Sequence, residues 1–387
     1  MRIVSIVDYC QPQLGYQDIF LCQELERIGH EVYMVTSDRY SPVVYQQNKH
    51  ILGQRIKGIG LSKERGVKIW RLKTLFELTD VIWMRGLEKK ILELKPDLVI
   101  MHGIATFQAV RVGLLKGKLP GCKLIYDDHM TLDNSRKSTR FLYNIFRYTL
   151  APNIRRTGDA FVAICEDTKQ FMYSRYGIPL EQISVIRLAA DETLFKFDPI
   201  ARKEIRKDLG IGDNEVIFIY TGKIIPMREL ELLAEAVKLF ANSVNTRILI
   251  VGSGIESYVK QLQDRIKSWN LQEKFIWHDA VPNEILFKFY SAADVAVWPW
   301  GASIGQNEAL SCGLPLIIGG NTPVTDLVSY ENGYVFKETD AAALAEKMQK
   351  LLDPGLRHKM GLNSRKAVEE HFTWRIVAKK FVELIEK

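Results

Sequence analysis

Two cations, Lys223 and Arg228, stand five residues apart just after an apolar run, and a carboxylate, Glu308, follows the small-residue loop Gly301-Ala302-Ser303-Ile304-Gly305. These residue types suit a diphosphate ester of a nucleoside. Cations neutralise its charge, a helix N-terminus offers unpaired N–H groups and a positive dipole end, and a carboxylate can accept both vicinal hydroxyls of a ribose. Ser303, Ile304 and Gly305 are placed to open such a helix, and Gly313 to stop it. Two histidines, His102 and His129, each close an apolar run, where an imidazole can polarise or protonate a ligand oxygen. His129, preceded by Asp127 and Asp128, reads as functional, and His102 as a hydrogen-bonded structural residue. Each feature alone also has a plain explanation, as a solvated charge, a turn or one more α/β repeat.

The elements that must position these residues alternate along the whole chain. Arg2 to Val7, Glu31 to Thr36, Val67 to Leu72, Pro96 to His102, Lys123 to His129 and Ala160 to Ile164 read as buried strands, with helical periodicity from Gly15 to Gly29 and from Arg140 to Arg156. Residues 39–66 are polar and mixed and read as a mobile excursion. The second half repeats the pattern: Val216 to Thr221, Arg247 to Val251, Lys274 to Trp277, Asp294 to Trp298 and Leu314 to Ile318 are strands. Helical segments separate them, and the tail from Asp340 is nearly all helical. At 387 residues the chain exceeds one ordinary core. The expectation is two doubly wound domains, 1–195 and 196–370 with a hinge within 188–204, and a final helix, 371–387, packing back on the first. A ligand is then expected at their interface.

Composition narrows the function. Five scattered cysteines give neither a disulfide framework nor metal spacing and fit a reducing cytoplasm. Asp8 comes too soon for a signal sequence, and no apolar run has membrane-spanning length. Up to residue 200 there are 29 Lys and Arg against 22 Asp and Glu, whereas the remainder is balanced. A basic half can meet anionic lipid headgroups at the inner face of a membrane or an anionic acceptor, or can simply carry scattered surface lysines. The stretch RIKGIGLSKERGVKIWRLK, which interleaves cations with Ile, Leu and Trp70, reads as a solvated loop or a membrane contact. No helix-turn-helix, RNP or zinc-finger pattern supports nucleic acid. Val251-Gly252-Ser253-Gly254 lacks the third glycine and the acid of a dinucleotide fingerprint, so it reads as a tight turn. Gly301 to Gly305 is literally G-x-S-x-G, with Asp340 and His371 following in hydrolase order, but no HGGG-type motif accompanies it.

In order and spacing, GHEVYMVTSD, GVKIWRL, PDLVIMH, the strand ending in His129, ICEDTKQF, RLAADETLF, GKIIPMREL, VGSG, AADVAVWPW and EALSCGLPLII together resemble the family 4 retaining glycosyltransferases of GT-B fold. The opening, QPQLGYQDIFLCQELERIGHEVYMVTSDRYSP, looks like members that build bacterial surface polysaccharides. The resemblance implies an α/β fold of two Rossmann-like domains facing a cleft, with C-terminal helices. It also implies transfer from a nucleoside diphosphate sugar to a glycan or lipid-linked acceptor with retention at the anomeric carbon. It assigns Lys223 and Arg228 to the donor diphosphate, Glu308 to the ribose, His129 to the transferred sugar, and Gly15 to a loop approaching the donor phosphate. No cofactor or metal is implied, and no Asp-x-Asp occurs. There are departures. Trp300 stands where the family has a glutamate on the donor sugar, so its indole is expected either to stack on that sugar or to pack in the core. Glu229 replaces the glycine after Arg228, and Ala189 replaces the hinge glycine. The Trp300 departure also motivates a rival reading, a non-catalytic scaffold of the same fold.

Overall fold

The computed structural model describes residues 1–386 apart from 79–80, 133–139, 241–244, 321–322 and 338. The chain divides into two compact units, Met1–Leu188 with Trp374–Lys387, and Ala189–Thr373. The first break thus lies ahead of the expected boundary at 195.

The strands of unit 1 are β1 (Arg2–Ile6), β2 (Glu31–Ser37), β3 (Gly60–Glu64), β4 (Val67–Leu72), β5 (Thr74–Leu78), β6 (Val81–Met84), β7 (Leu98–His102), β8 (Lys123–Asp128), β9 (Ala160–Ala163) and β10 (Ile183–Val185). Eight form one sheet in the order β10-β9-β8-β7-β1-β2-β4-β3, parallel except for β3 against β4. Their runs are apolar on both faces because helices cover both. The order reverses between β1 and β7, and the carboxyl ends of neighbouring strands there form the crevice in which open α/β sheets bind ligands. Asp8 and His102 stand at that reversal.

The expected mobile excursion at 39–66 is instead ordered. It holds the helix Pro42–Leu52 and edge strand β3. Its polar groups are engaged inside the unit: Lys57 N–H donates to the Asp38 carbonyl, Tyr40 N–H to that of Arg55, and Arg55 pairs with Glu77 on β5. The cations of the stretch singled out for membrane contact are spoken for as well. Arg71 forks onto Glu64, Lys68 faces Glu26, and the Trp70 ring lies under the ammonium of Lys90. Polar composition hid the order because the partners lie far along the chain.

The helix Trp374–Glu386 belongs to unit 1 and packs on the helix Gln17–Arg27, where the rings of Trp374 and Phe20 stack 5.4 Å apart. No helix among the described residues is long and apolar enough to cross a membrane.

Unit 2 contains β11 (Val216–Thr221), β12 (Thr246–Val251), β13 (Phe275–His278), β14 (Val295–Trp298), β15 (Leu316–Gly319) and β16 (Gly333–Phe336). They form a parallel sheet in the order β13-β12-β11-β14-β15-β16. Here the order reverses between β11 and β14, the strands that lead into Lys223 and Gly301. Gly252 and Gly254 let two loops touch backbone to backbone. Gly222 N–H donates to the Val251 carbonyl at 3.0 Å and Ile224 N–H to that of Ser253 at 2.9 Å. A Cβ at Gly252 would be driven into the Gly222 carbonyl, and one at Gly254 into that of Ile224. The G-x-G is therefore a packing requirement of the loop carrying Lys223. Gly252→Ala is expected to cost about 1–3 kcal/mol as overpacking against backbone that cannot give way, measured by denaturant unfolding. Wild-type stability would show that the two loops can separate freely.

Candidate functional site

In unit 2, Glu308 lies in the helix Ile304–Ser311 and is only 2% exposed. A buried carboxylate must be hydrogen-bonded. Its Oε1 accepts from Asn283 Nδ2 at 2.8 Å and its Oε2 from the Tyr290 hydroxyl at 3.4 Å. That hydroxyl also lies 2.6 Å from Thr221 Oγ1, at the end of β11, and 3.1 Å from the Gly305 carbonyl. Gly305 is required by this close packing, since a Cβ there would crowd Thr221, Tyr290 and the Trp298 ring. Burial, with Glu308 close by, raises the Tyr290 phenol well above its usual pKa, so it remains a donor. Asn283 and Tyr290 were missed from sequence, because an Asn at a helix start and a Tyr in an apolar stripe read as a cap and as core. The side-chain carbonyls of Asn283 and Asn307 are buried with no hydrogen-bond partner among the described residues, so they are acceptors that a ligand donor could satisfy.

Ser303 caps the helix. Its Oγ accepts from Gly305 N–H at 3.2 Å, and its own N–H donates to Gln306 Oε1 at 3.0 Å. This capping box engages two of the N–H groups that an anion cradle at Ser303, Ile304 and Gly305 would use. It also separates Ser303 from hydrolase chemistry. The Ser303 backbone is extended, Asp340 caps a different helix through Ala343 N–H, and the His371 ring stacks on Tyr330.

Lys223 and Arg228 both follow β11, Lys223 exposed and Arg228 half-buried. The Arg228 guanidinium donates to the carbonyls of Trp300 and Ala302, each at 3.3 Å, and lies where a Cβ of Gly301 would be. Gly301, at φ 88°, is required on both counts. Arg228 thus ties the Lys223 loop to the loop entering the Glu308 helix. Trp300 is 8% exposed, as the core-packing alternative expects. Glu229 adopts φ 52° and ψ 39°, a left-handed conformation, which is the physical reason a glycine suits that position. Ala189 is buried and is not among the residues with positive φ, so glycine is not needed there.

In unit 1, β7 and β8 pair so that His102 lies opposite Asp127. Asp127 is fully buried, and its Oδ2 accepts from His102 Nδ1 at 2.9 Å and from Gln17 Nε2 at 3.1 Å. His102 Nε2 meets Ser5 Oγ at 2.9 Å, which fixes the ring from both sides. His129 is 44% exposed, with Nε2 3.7 Å from the same Asp127 oxygen. Its backbone N–H donates to Asp128 Oδ1. The structure therefore brings His102, Asp127 and His129 together with Gln17, two residues beyond Gly15. Gly15 itself takes φ 66° to end a short 3-10 turn, which explains the glycine by conformation alone. Burial would raise the Asp127 pKa, but the two imidazoles hold it well below the usual carboxylate range. Burial likewise lowers that of His102, and the Asp127 charge more than reverses it.

Two family models match the chain: one described as Glycosyltransferase Family 4 over residues 19–194, the other as Glycosyl transferases group 1 over residues 201–367. The chain belongs to the family 4 glycosyltransferases. It is 26% identical over 249 residues to a GDP-mannose-dependent alpha-(1-6)-phosphatidylinositol monomannoside mannosyltransferase of Mycolicibacterium smegmatis, across 60% of this chain and 64% of that protein. It is 29% identical over 174 residues to the capsular polysaccharide biosynthesis glycosyltransferase CapM of Staphylococcus aureus, across 43% of this chain and 44% of that protein. The chain thus spans 44% to 64% of the length of these two curated relatives. Among solved structures, Anabaena Alr3699/HepE in complex with UDP aligns over 100% of both chains with TM-score 0.75 and 16% identity. A glycosyltransferase from Rickettsia africae aligns over 99% of this chain and 97% of its own, with TM-score 0.72 and 17% identity. At such identity the likeness carries the fold, GT-B.

Two outcomes follow from this geometry. Glu229→Gly is expected to raise stability by up to about 1 kcal/mol, since relief of a left-handed non-glycine residue exceeds the entropy glycine adds to the unfolded chain. A drop in unfolding midpoint would show that the Glu229 side chain contributes more than its backbone costs. The second concerns pH. Asp127, with its lowered pKa, contributes stability present above its unfolded value near 3.9 and lost as pH falls further. His102, with its raised pKa, contributes stability present below its unfolded value near 6.5 and lost as pH rises through its folded value. The pair therefore stabilises most between about pH 4 and 6.5. His102→Gln should destabilise more at pH 5 than at pH 8.5, and an equal deficit at both would show that the two groups do not titrate together.

Proposed function

We propose that this chain is a retaining glycosyltransferase that moves a sugar from a nucleoside diphosphate sugar to a glycan or lipid-linked acceptor in surface polysaccharide or glycolipid synthesis. The observation that carries the reading is Glu308. It is a carboxylate kept buried at the carboxyl edge of the unit 2 sheet, oriented by Asn283 and Tyr290 beside unsatisfied amide carbonyls. Burying a carboxylate that could lie in water is costly, and recognition of a ribose diol repays it. The names of the relatives agree in kind: the Anabaena neighbour binds UDP, and the mycobacterial relative uses GDP-mannose.

In this reading the ribose hydroxyls donate to Glu308, while Lys223, Arg228 and N–H groups of the helix start at residues 303 to 305 neutralise the diphosphate. The bond from the anomeric carbon to the diphosphate oxygen breaks as the acceptor oxygen attaches on the same face, and the acceptor proton passes to the departing diphosphate. Charge neutralisation at the leaving group is the main catalytic contribution, because negative charge grows there in the transition state. His129 accepts or donates a hydrogen bond to the sugar, and the buried Asp127 holds its imidazole. No protein nucleophile or metal enters this scheme. The scaffold alternative is motivated by Trp300, which cannot accept a hydrogen bond as a carboxylate would.

A thermal-shift screen against UDP, GDP, ADP and CDP sugars tests donor binding. A ligand at a hundredfold excess over its Kd should stabilise the protein by about 2.7 kcal/mol. Glu308→Ala should weaken the stabilising nucleotide by about 1.5–3 kcal/mol, roughly ten- to hundredfold, in titration calorimetry. Unchanged affinity would remove Glu308 from the site. Binding with no donor hydrolysis or transfer to any acceptor would favour the scaffold.

A further inference from the structure

The basic excess of the first 200 residues is concentrated. Between Asp133 and Asp159 the sequence carries six cations, Arg136, Lys137, Arg140, Arg147, Arg155 and Arg156, and no acid. The helix Arg140–Thr149 lies within this stretch. Its inner face packs through Tyr143 and Phe146 on Phe171 and Tyr176. A helix that buries one face normally turns polar residues outward. This one does not. Phe141, Leu142, Ile145 and Tyr148 share its outer side and are 70%, 60%, 45% and 77% exposed. Single exposed apolar residues are ordinary, but a contiguous group on one face marks an interaction surface. The neighbouring charge is not cancelled locally. Arg147 donates to the carbonyls of Tyr173 and Ser174, and Arg155 to that of Tyr176. Both guanidinium groups are thus fixed by backbone oxygens, in contrast to Arg55 and Arg71 in the stretch the sequence favoured.

We propose that the outer face of this helix docks on an anionic lipid bilayer, its apolar side chains entering the boundary of headgroups and acyl chains while the surrounding cations meet lipid phosphates. A strongly amphipathic, cation-rich helix with aromatic residues on its apolar side suits that interface. Charge complementarity selects the occupant. A second copy would set the same cationic patch against itself, as a two-fold interface requires, and so meet repulsion. The docking face also connects to the candidate site of its unit. Tyr176, against which Tyr143 and Phe146 pack, donates to Asp128 Oδ2 at 2.9 Å, and Asp128 Oδ1 accepts the N–H of His129. A bilayer on this helix would lie one packed layer from the His129 loop, on the side where a lipid-linked acceptor would arrive. The inference does not depend on transferase activity, because lipid binding needs no donor.

Vesicle co-sedimentation of the full chain tests it, with phosphatidylcholine alone or mixed with phosphatidylglycerol. Wild type should bind the mixed vesicles more than about tenfold better than the neutral ones. The Phe141→Ser, Leu142→Ser, Tyr148→Ser variant should lose about tenfold or more at both low and high salt with an unchanged melting temperature. Arg156→Gln should lose about fivefold at low salt only. Ile200→Ser, a similarly exposed apolar residue of unit 2, should bind as wild type. Equal binding of wild type to both vesicle types would overturn the proposal, as would wild-type binding by the triple variant. A wild-type dimer in size-exclusion chromatography that the triple variant breaks, without vesicle binding, would overturn it too.

Discussion

The Tyr290 hydroxyl is where unit 2 is held to one geometry. It reaches the end of β11 through Thr221, the first turn of the Glu308 helix through the Gly305 carbonyl, and the Glu308 carboxylate itself. A buried carboxylate is tolerable only while such partners are in place, so strand, loop and helix cannot shift independently without stranding a charge. The need for glycine at 305, for backbone contact at Gly222 and Gly252, and for the Arg228 tie across Gly301 all follow from bringing these loops to the same sheet edge.

Unit 1 solves a related problem with different chemistry. Its buried carboxylate, Asp127, is balanced by imidazoles rather than a phenol and an amide, and these shift its pKa down instead of leaving a neutral acid. His102 and His129 share that one carboxylate but differ in exposure. His102 is held by Ser5 and Asp127 together, and His129 keeps one face open. The same anion therefore supports a structural and an available histidine. In both units the buried charge sits at the carboxyl edge of a sheet near the reversal of strand order, where strands diverge enough to admit a ligand.

Charge is managed differently away from these edges. Arg55, Arg71, Arg111 and Arg247 are each matched to a carboxylate, so the basic character of those segments is spent internally. The helix Arg140–Thr149 and the residues after it have no acid in sequence reach, and two of their arginines end on backbone carbonyls. Net charge counts both cases alike, and only the pairing separates them.

The sequence by itself determined the alternation of strands and helices, the two-fold repetition of a doubly wound sheet, and the positions of Lys223, Arg228, Glu308 and His129 at strand and loop ends. These are local properties: apolar runs, periodicity and glycine placement act over a few residues. Tertiary structure decided what depends on partners distant along the chain. It put Asn283 and Tyr290 on Glu308, showed Glu229 in a left-handed conformation, and ordered residues 39–66 through contacts with Asp38 and Glu77. It also moved the candidate lipid-facing surface from the stretch around Trp70 to the helix at Phe141. Periodicity reports that a helix has an apolar face, but only packing reports whether that face is covered.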